Sequence, residues 1–252
     1  MSATMRTPSR QLSSWWQFIQ CQWLNLVRMP AYSLPTLLFP VMFYAFFGLV
    51  MIPAQSAYLL ATFATFGVLG ASLFSFGVGI AFERAQGWFT LLRATPAPLT
   101  AVVISKWFGA ALFAALIVLM MSVLAAVFGE VRMATAQWFG LLGVLVAGTL
   151  PFCLLGLALG LLLSPNAAPA VINILYLPLA FLSGLWVPVS QFPGWLQGFA
   201  ECLPPYHLAA LALHVTGVRE ANIGLHAGIL AFFSIGFGLL VVLGWRRLLA
   251  NP

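Results

Sequence analysis

Residues 29–82 read MPAYSLPTLLFPVMFYAFFGLVMIPAQSAYLLATFATFGVLGASLFSFGVGIAF, a stretch that contains no Asp, Glu, Lys or Arg. A second stretch without these residues runs from 133 to 200. A soluble domain carries about a quarter charged residues, whereas this chain carries 6%. Because about 20 apolar residues span one bilayer, these stretches exclude a water-soluble protein. They predict an all-α integral membrane protein.

Apolar runs long enough to cross a bilayer predict six transmembrane helices in a single domain, residues 1–252. The predicted spans are 34–53, 57–82, 104–128, 138–163, 168–188 and 223–245. Before them, residues 11–28 place tryptophans on one face of an amphipathic segment, which predicts an interfacial helix, with a short core helix as the alternative. Residues 189–222 are mostly apolar, so we expect two short helices on or partway into the outer leaflet.

Basic residues predict the orientation of the spans. With a cytoplasmic N-terminus, the inner side holds eight of them: Arg6, Arg10, Arg28, Arg84, Arg93, Lys106, Arg246 and Arg247. The outer side holds only Arg132 and Arg219. This positive-inside bias predicts cytoplasmic N- and C-termini. It also accounts for the net charge of +6, so we expect no nucleic-acid partner.

The sequence lacks the residues that several kinds of chemistry require. The one lysine, Lys106, does not belong to a phosphate-binding loop, so we expect no ATP site in this chain. Asp is absent and the glutamates fall at span ends or in loops, which disfavours a proton or sodium relay. The spacing of the cysteines predicts no metal site. Ser183–Gly184 lacks the setting of an intramembrane serine hydrolase, and we interpret His207 and His214 as interfacial.

The segment from Glu83 to Pro96 reads ERAQGWFTLLRATP, a polar turn followed by a short apolar helix and a proline. It lies in the predicted inner loop 83–103. A rigid, charged element between two spans suits docking to another protein, and an ordinary inner loop is the alternative. We expect Glu83 and Arg84 to pair with each other or with the N-terminal helix.

This segment resembles the first cytoplasmic loop of the ABC type-two export permeases. The matching residues are Glu83, Arg84, Gly87, Leu92, Thr95, Pro96 and Lys106, whereas Trp88, Phe89 and Thr90 depart from the family pattern. A second match lies near the end of the chain, at Ser183, Gly184, Pro188, Pro193, Trp195, Leu196, Leu203, Pro204 and Tyr206.

The resemblance implies a dimer of permeases, more readily a homodimer than a heterodimer, bound to two ABC ATPase subunits that carry ATP and Mg²⁺. It places a coupling helix after Glu83, with Glu83, Arg84, Gly87, Leu92, Thr95 and Pro96 as the coupling residues. It also makes residues 11–28 a connecting helix. The path between protomers would be lined from spans two and five, with Phe66, Phe76, Asn173, Tyr176 and Phe181 as candidates. Packing against neighbouring helices is the alternative for each, and for Asn173 we favour a hydrogen bond to another helix.

On this basis we expect the membrane subunit of an ABC exporter, which has no catalytic, cofactor or metal site of its own. It would move a small amphiphilic or lipid-like compound across the cell membrane. Two alternatives stay open, a permease for lipid-linked polysaccharide and a non-transporting scaffold or sensor.

Overall fold

The computed structural model describes residues 30–88 and 99–250, and in these ranges the chain consists of helices joined by short turns. The α-helices, numbered in chain order, are α1 (Pro30–Tyr44), α2 (Ser56–Leu73), α3 (Gly79–Ala85), α4 (Leu99–Val127), α5 (Thr135–Ala147), α6 (Thr149–Leu162), α7 (Ala168–Leu182), α8 (Gly194–Ala200), α9 (Pro204–Val215) and α10 (Ile223–Ala250). A π-helical turn at Ala45–Met51 extends α1, and another at Phe74–Val78 joins α2 to α3. The predicted all-α fold is confirmed.

In the part of the chain that the structure describes, five helical stretches are long and apolar enough to cross a membrane. They are Leu34–Met51, Pro53–Ala85, Val103–Val127, Thr135–Leu162 and Ile223–Arg246. Each coincides with a predicted span, so the chain is a multi-pass membrane protein. The remaining predicted span falls on α7, which has 15 residues. At about 1.5 Å per residue, α7 is shorter than the roughly 30 Å of a bilayer core.

The helix α7 ends at Leu182, although the apolar run predicted a span to residue 188. The cause is Gly184, whose φ of +75° lies in the left-handed region. The N–H of Gly184 donates to the Phe181 carbonyl at 3.0 Å, and the N–H of Leu185 donates to the Ala180 carbonyl at 3.1 Å. This pair of hydrogen bonds is a Schellman motif, which ends a helix at a glycine.

The helix α2 lies at the centre of the bundle. Every residue from Leu59 to Leu73 is buried, and the helix packs against α1, α4, α6, α7 and α9. Two of its buried hydroxyl groups donate within the helix: Thr65 Oγ1 to the Ala61 carbonyl and Ser72 Oγ to the Val68 carbonyl, both at 2.8 Å. The hydroxyl groups of Thr65 and Ser72 are therefore both paired, although they lie in an apolar interior.

The fourth predicted span is divided into α5 and α6 near Gly148. Pro151 has no N–H to donate to the carbonyl one turn earlier, which interrupts the helical hydrogen bonds. Thr149 Oγ1 donates to the Val146 carbonyl at 2.7 Å and accepts the indole N–H of Trp107 at 3.1 Å. The hydrogen bond between Trp107 and Thr149 therefore joins the break to α4.

The segment 189–222 contains two short helices, α8 and α9. Most of α9 is buried, and it packs against α2, α5 and α10. By contrast, α8 exposes the large apolar side chains of Trp195 and Phe199. The helix α9 is therefore part of the bundle, and α8 lies at its edge. The predicted interfacial helix at 11–28 lies outside the described residues.

Long helices at the periphery expose apolar side chains. On α10 these include Phe232, Ile235, Leu239 and Leu243. A water-soluble monomer does not leave so large an apolar surface uncovered. The pattern is that of a helix facing lipid.

Candidate functional site

The charged residues Glu83 and Arg84 lie in the last turn of α3, where the second span ends. Beyond this turn, Gly87 has a φ of +76°, and its N–H donates to the Arg84 carbonyl at 3.1 Å. A left-handed glycine at this position ends the helix and turns the chain away from the span. We call this end of the bundle the Glu83 end, and the opposite end, which carries Arg219, the Arg219 end.

Glu83 forms an ion pair with Lys106 near the start of α4. The Lys106 Nζ lies 2.5 Å from Glu83 Oε1, and the lysine side chain is only 5% exposed. A buried ammonium group needs a partner of opposite charge, because removing it from water is costly. Glu83 Oε2 is also buried, with no hydrogen-bond partner in the part of the chain that the structure describes. The ion pair joins the second span to the third.

Arg84 donates to the end of α6. Its Nη2 lies 2.6 Å from the Leu163 carbonyl oxygen, and its Nη1 donates to the Leu161 carbonyl. The last carbonyls of a helix have no partner within that helix, and a cation there also complements the helix dipole. Arg84 therefore caps α6 and joins the second span to the fourth.

The expected pairing of Glu83 with Arg84 is wrong. Consecutive residues on a helix point in directions about 100° apart. Glu83 therefore faces α4 and Arg84 faces α6. The other expected partner, the N-terminal helix, lies outside the described residues.

Close glycine packing lies next to these contacts. A Cβ on Gly160 of α6 would lie 2.8 Å from the carbonyl oxygens of Phe76 and Gly77 in the π-helical turn. A Cβ on Gly156 would lie 3.2 Å from the Gly77 nitrogen. Backbone therefore meets backbone, which glycines four residues apart on one helix face allow. The second and fourth spans are tightly packed where Arg84 joins them.

Comparison with known proteins identifies the family. A family model described as "ABC-2 type transporter" matches residues 13–216. The chain belongs to this family. It is also 28% identical over 192 residues to "Putative transport permease YvfS" of Bacillus subtilis (strain 168), covering 74% of this chain and 78% of that protein. The resemblance drawn from the segment after Glu83 is confirmed, and the chain is a membrane permease subunit of a family that works with ABC ATPases.

The structure describes only part of the permease's predicted coupling segment. Glu83, Arg84 and Gly87 are placed at the Glu83 end as stated above. Leu92, Thr95 and Pro96 lie outside the described residues. The role of this segment in coupling stays a prediction.

Three of the candidate path residues of the permease lie in its interior. The rings of Phe66 and Tyr176 stack with centroids 4.8 Å apart, and the Tyr176 hydroxyl donates to the Phe66 carbonyl at 3.2 Å. Phe76 is buried against α6. The Phe66–Tyr176 contacts hold α7 against the second span, and Phe76 packs the second span against α6. Whether these residues also line a path stays a prediction.

The other two candidates, Asn173 and Phe181, are exposed on α7. Asn173 Nδ2 donates to the Pro169 carbonyl of its own helix at 3.1 Å. Among the described residues Asn173 bonds its own helix, so the favoured hydrogen bond to another helix is not found there. An exposed amide on a membrane helix remains available to a second protomer or to a ligand.

Two histidines at the Arg219 end form a pair that their positions in the sequence do not indicate. His207 on α9 is 3% exposed, and its Nδ1 lies 2.8 Å from Nδ1 of His226 on α10. The interfacial interpretation of His207 is therefore wrong, because α9 packs inside the bundle. Burial, and then the neighbouring His226, lower the pKa of the His207 ring below its usual value. His214 instead accepts the N–H of Ala221 at 3.2 Å.

A cavity of about 390 Å³ opens beside this pair at the Arg219 end. It is lined by Tyr58, Pro188, Val189, Ser190, Gln197, Glu201, Tyr206, Val218 and Arg219. These residues come from four separate segments, and no spacing within one of them signals the cavity. Among the described residues, no three His, Cys, Asp or Glu side chains are grouped to hold a metal ion.

Proposed function

We propose that this permease is the membrane half of an ATP-driven exporter in which two copies of the chain bind two ABC ATPase subunits. In this proposal the segment after Glu83 is the coupling helix, and ATP and Mg²⁺ bind on the ATPase. The Glu83 end faces the cytoplasm, because eight of the ten basic residues then lie on the inner side. The membrane is the cell membrane.

The observation that supports coupling most directly is the double attachment of the Glu83 end. Glu83 is bonded to Lys106 of α4, and Arg84 is bonded to the Leu161 and Leu163 carbonyls at the end of α6. A displacement of the end of α3 must move both neighbours or break buried polar bonds. Mechanical work applied to the following segment is in this way delivered to three spans, through contacts that are continuous in space.

The cargo in this proposal is a small amphiphilic or lipid-like compound that moves out of the cytoplasm. Two connections at the Arg219 end are short, residues 52–55 and 128–134, and form no separate domain for a large cargo. The candidate path residues are mainly aromatic, which suits an amphiphile. Asn173 and Phe181, both exposed on α7, are the residues that a cargo between two protomers would reach first.

The test is reconstitution with a cognate ABC ATPase. We expect the two proteins to co-elute, ATP hydrolysis to be stimulated, and a fluorescent cationic amphiphile to cross the bilayer of proteoliposomes when ATP is added. Arg84→Gln should keep ATPase binding but transport less dye per ATP hydrolysed. Arg246→Gln, a matched change on α10, should behave as the unmodified chain. A folded permease that never binds the ATPase would support the scaffold alternative instead.

A further inference from the structure

The cavity at the Arg219 end carries one acid and one base on its wall. Glu201 follows α8 and Arg219 follows α9, so the two charges reach the cavity from different segments. In the described ranges 30–88 and 99–250, they form no ion pair with each other within 4 Å. Two opposite charges that share a cavity without pairing leave space for a ligand between them.

Neutral polar and aromatic groups complete the wall. Tyr58 and Tyr206 line the cavity and are half-buried, and both have an aromatic ring and a hydroxyl group. The Gln197 amide is held in place because its Nε2 donates to the Phe192 carbonyl at 2.8 Å, which leaves its oxygen as an acceptor. An ammonium group is stabilised by acceptors and by aromatic faces. The acidic side of the cavity therefore suits a cation.

A second, much smaller cavity of about 20 Å³ adjoins the first. Tyr58, Tyr206 and Arg219 line both cavities, and the smaller one also reaches Thr62 and Ser183. Ser183 is 1% exposed, and its Oγ has no hydrogen-bond partner among the residues described. A buried hydroxyl without a partner is costly. It is available to a ligand group or to a water molecule that the ligand orders.

We propose that this cavity binds a zwitterionic head group, with its phosphate at Arg219 and its ammonium at Glu201 and the tyrosine rings. The volume of about 390 Å³ falls within the usual range of about 300–1,000 Å³ for small-molecule sites. Arginine binds phosphate through charge-assisted hydrogen bonds. Trp195 and Phe199 on the neighbouring α8 are exposed and apolar, so an attached acyl chain would meet an apolar surface. A phospholipid and a free phosphoamine share this head-group chemistry.

The proposal lies within one chain and needs no ATPase, so it can fail while the exporter proposal stands. The purified chain, in nanodiscs of phosphatidylglycerol alone, is titrated with glycerophosphoethanolamine by calorimetry. We expect saturable binding, and at least tenfold weaker binding of glycerol 3-phosphate, which lacks the ammonium. Glu201→Gln and Arg219→Gln should each weaken binding of glycerophosphoethanolamine at least tenfold.

Arg132→Gln is the matched control, because Arg132 lines a separate cavity at the same end. It should bind like the unmodified chain. Nanodiscs that contain phosphatidylethanolamine separate the two sources of the head group: lost binding of the soluble probe assigns the site to the lipid, and retained binding assigns it to a soluble phosphoamine. Equal affinity for glycerol 3-phosphate, or unchanged affinity in the Glu201 and Arg219 variants, would overturn the proposal.

Discussion

His207 and His226 share a hydrogen bond between α9 and α10, with their Nδ1 atoms 2.8 Å apart. One imidazole must donate and the other accept, so the bond requires at least one neutral ring. The Tyr206 ring lies edge-on to His226, with centroids 6.1 Å apart. This pair joins the short buried helix α9 to the last span, and its hydrogen bond is lost when both rings are protonated.

Acid should destabilise the permease through His207. Burial and the neighbouring His226 lower the pKa of His207 in the folded state, whereas Glu201 acts in the opposite direction. The unfolded chain therefore binds the proton more readily. The contribution to stability is complete above the unfolded pKa of about 6.5 and decreases as the pH falls below it. We expect a lower melting temperature at about pH 5.5 than at about pH 7.5, measured in detergent by circular dichroism.

His207→Asn should show a smaller decrease between the two pH values, whatever its stability at neutral pH. His214→Asn is the control, because His214 bonds Ala221 and takes no part in the pair. It should keep the decrease of the unmodified chain. Equal decreases in the His207 variant and the unmodified chain would show that the pair does not control acid stability.

Reversing one charge of the Glu83–Lys106 pair should disrupt coupling. Glu83→Lys places a second cation beside the buried ammonium of Lys106, and breaking a buried pair costs about 3–5 kcal/mol. We expect lower thermal stability and lower export per ATP hydrolysed in proteoliposomes with the ATPase. The double variant Glu83→Lys with Lys106→Glu restores opposite charges and should recover part of both.

The exposed Glu220 supplies a control for the change of net charge, and Glu220→Lys should leave export unchanged. If the double variant is no better than Glu83→Lys alone, the ion pair is not what links the second and third spans.

Gly160→Ala should destabilise the contact between the second and fourth spans. Its Cβ would lie 2.8 Å from the Phe76 and Gly77 carbonyl oxygens, and backbone cannot move aside as a flexible side chain does. Overpacking of this kind costs about 1–3 kcal/mol. Thermal unfolding in detergent measures the loss.

Gly143→Ala is the matched control in the same predicted span. A Cβ at Gly143 meets nothing within 4 Å, and alanine favours a helix over glycine by up to about 1 kcal/mol. This variant should be as stable as the unmodified chain or slightly more stable. Similar losses in both variants would mean that general helix effects, and not the close contact, are responsible.

Cysteine labelling tests the orientation. In a chain whose own cysteines are replaced, Arg219→Cys should react with an impermeant maleimide added to intact cells. Arg93→Cys should react only after the membrane is opened, because the positive-inside bias places residue 93 in the cytoplasm. The opposite pattern would reverse the proposed topology.

Features that depend only on residues close together in the chain could be predicted from the sequence. Apolar runs between charged residues indicated the spans, because a helix in lipid bonds its own backbone and needs only apolar side chains. Glycines four residues apart, such as Gly156 and Gly160, are likewise a local signal for a close helix contact. The end of α7 could also have been predicted, since Gly184 is a local signal for a helix terminus. The apolar residues that follow it concealed this signal.

Contacts between distant segments could not be predicted in this way. The partner of Glu83 is 23 residues away and the carbonyls that Arg84 caps are 77 and 79 residues away. The residues around Glu83 and Arg84 do not indicate which distant groups these two side chains bond. The interfacial interpretation of His207 is wrong because an apolar outer segment gives no sign that α9 folds back into the bundle.

Local hydrophobicity, helix periodicity and short motifs were enough to infer the membrane class, the helical architecture, the family and the charged turn at the end of the second span. The folded chain was needed to see which charges pair, where the two histidines meet and where a cavity lined by Glu201 and Arg219 forms. Polar bonds in a low-dielectric interior depend on positions within a few ångströms, and the packing of whole helices is what fixes such positions.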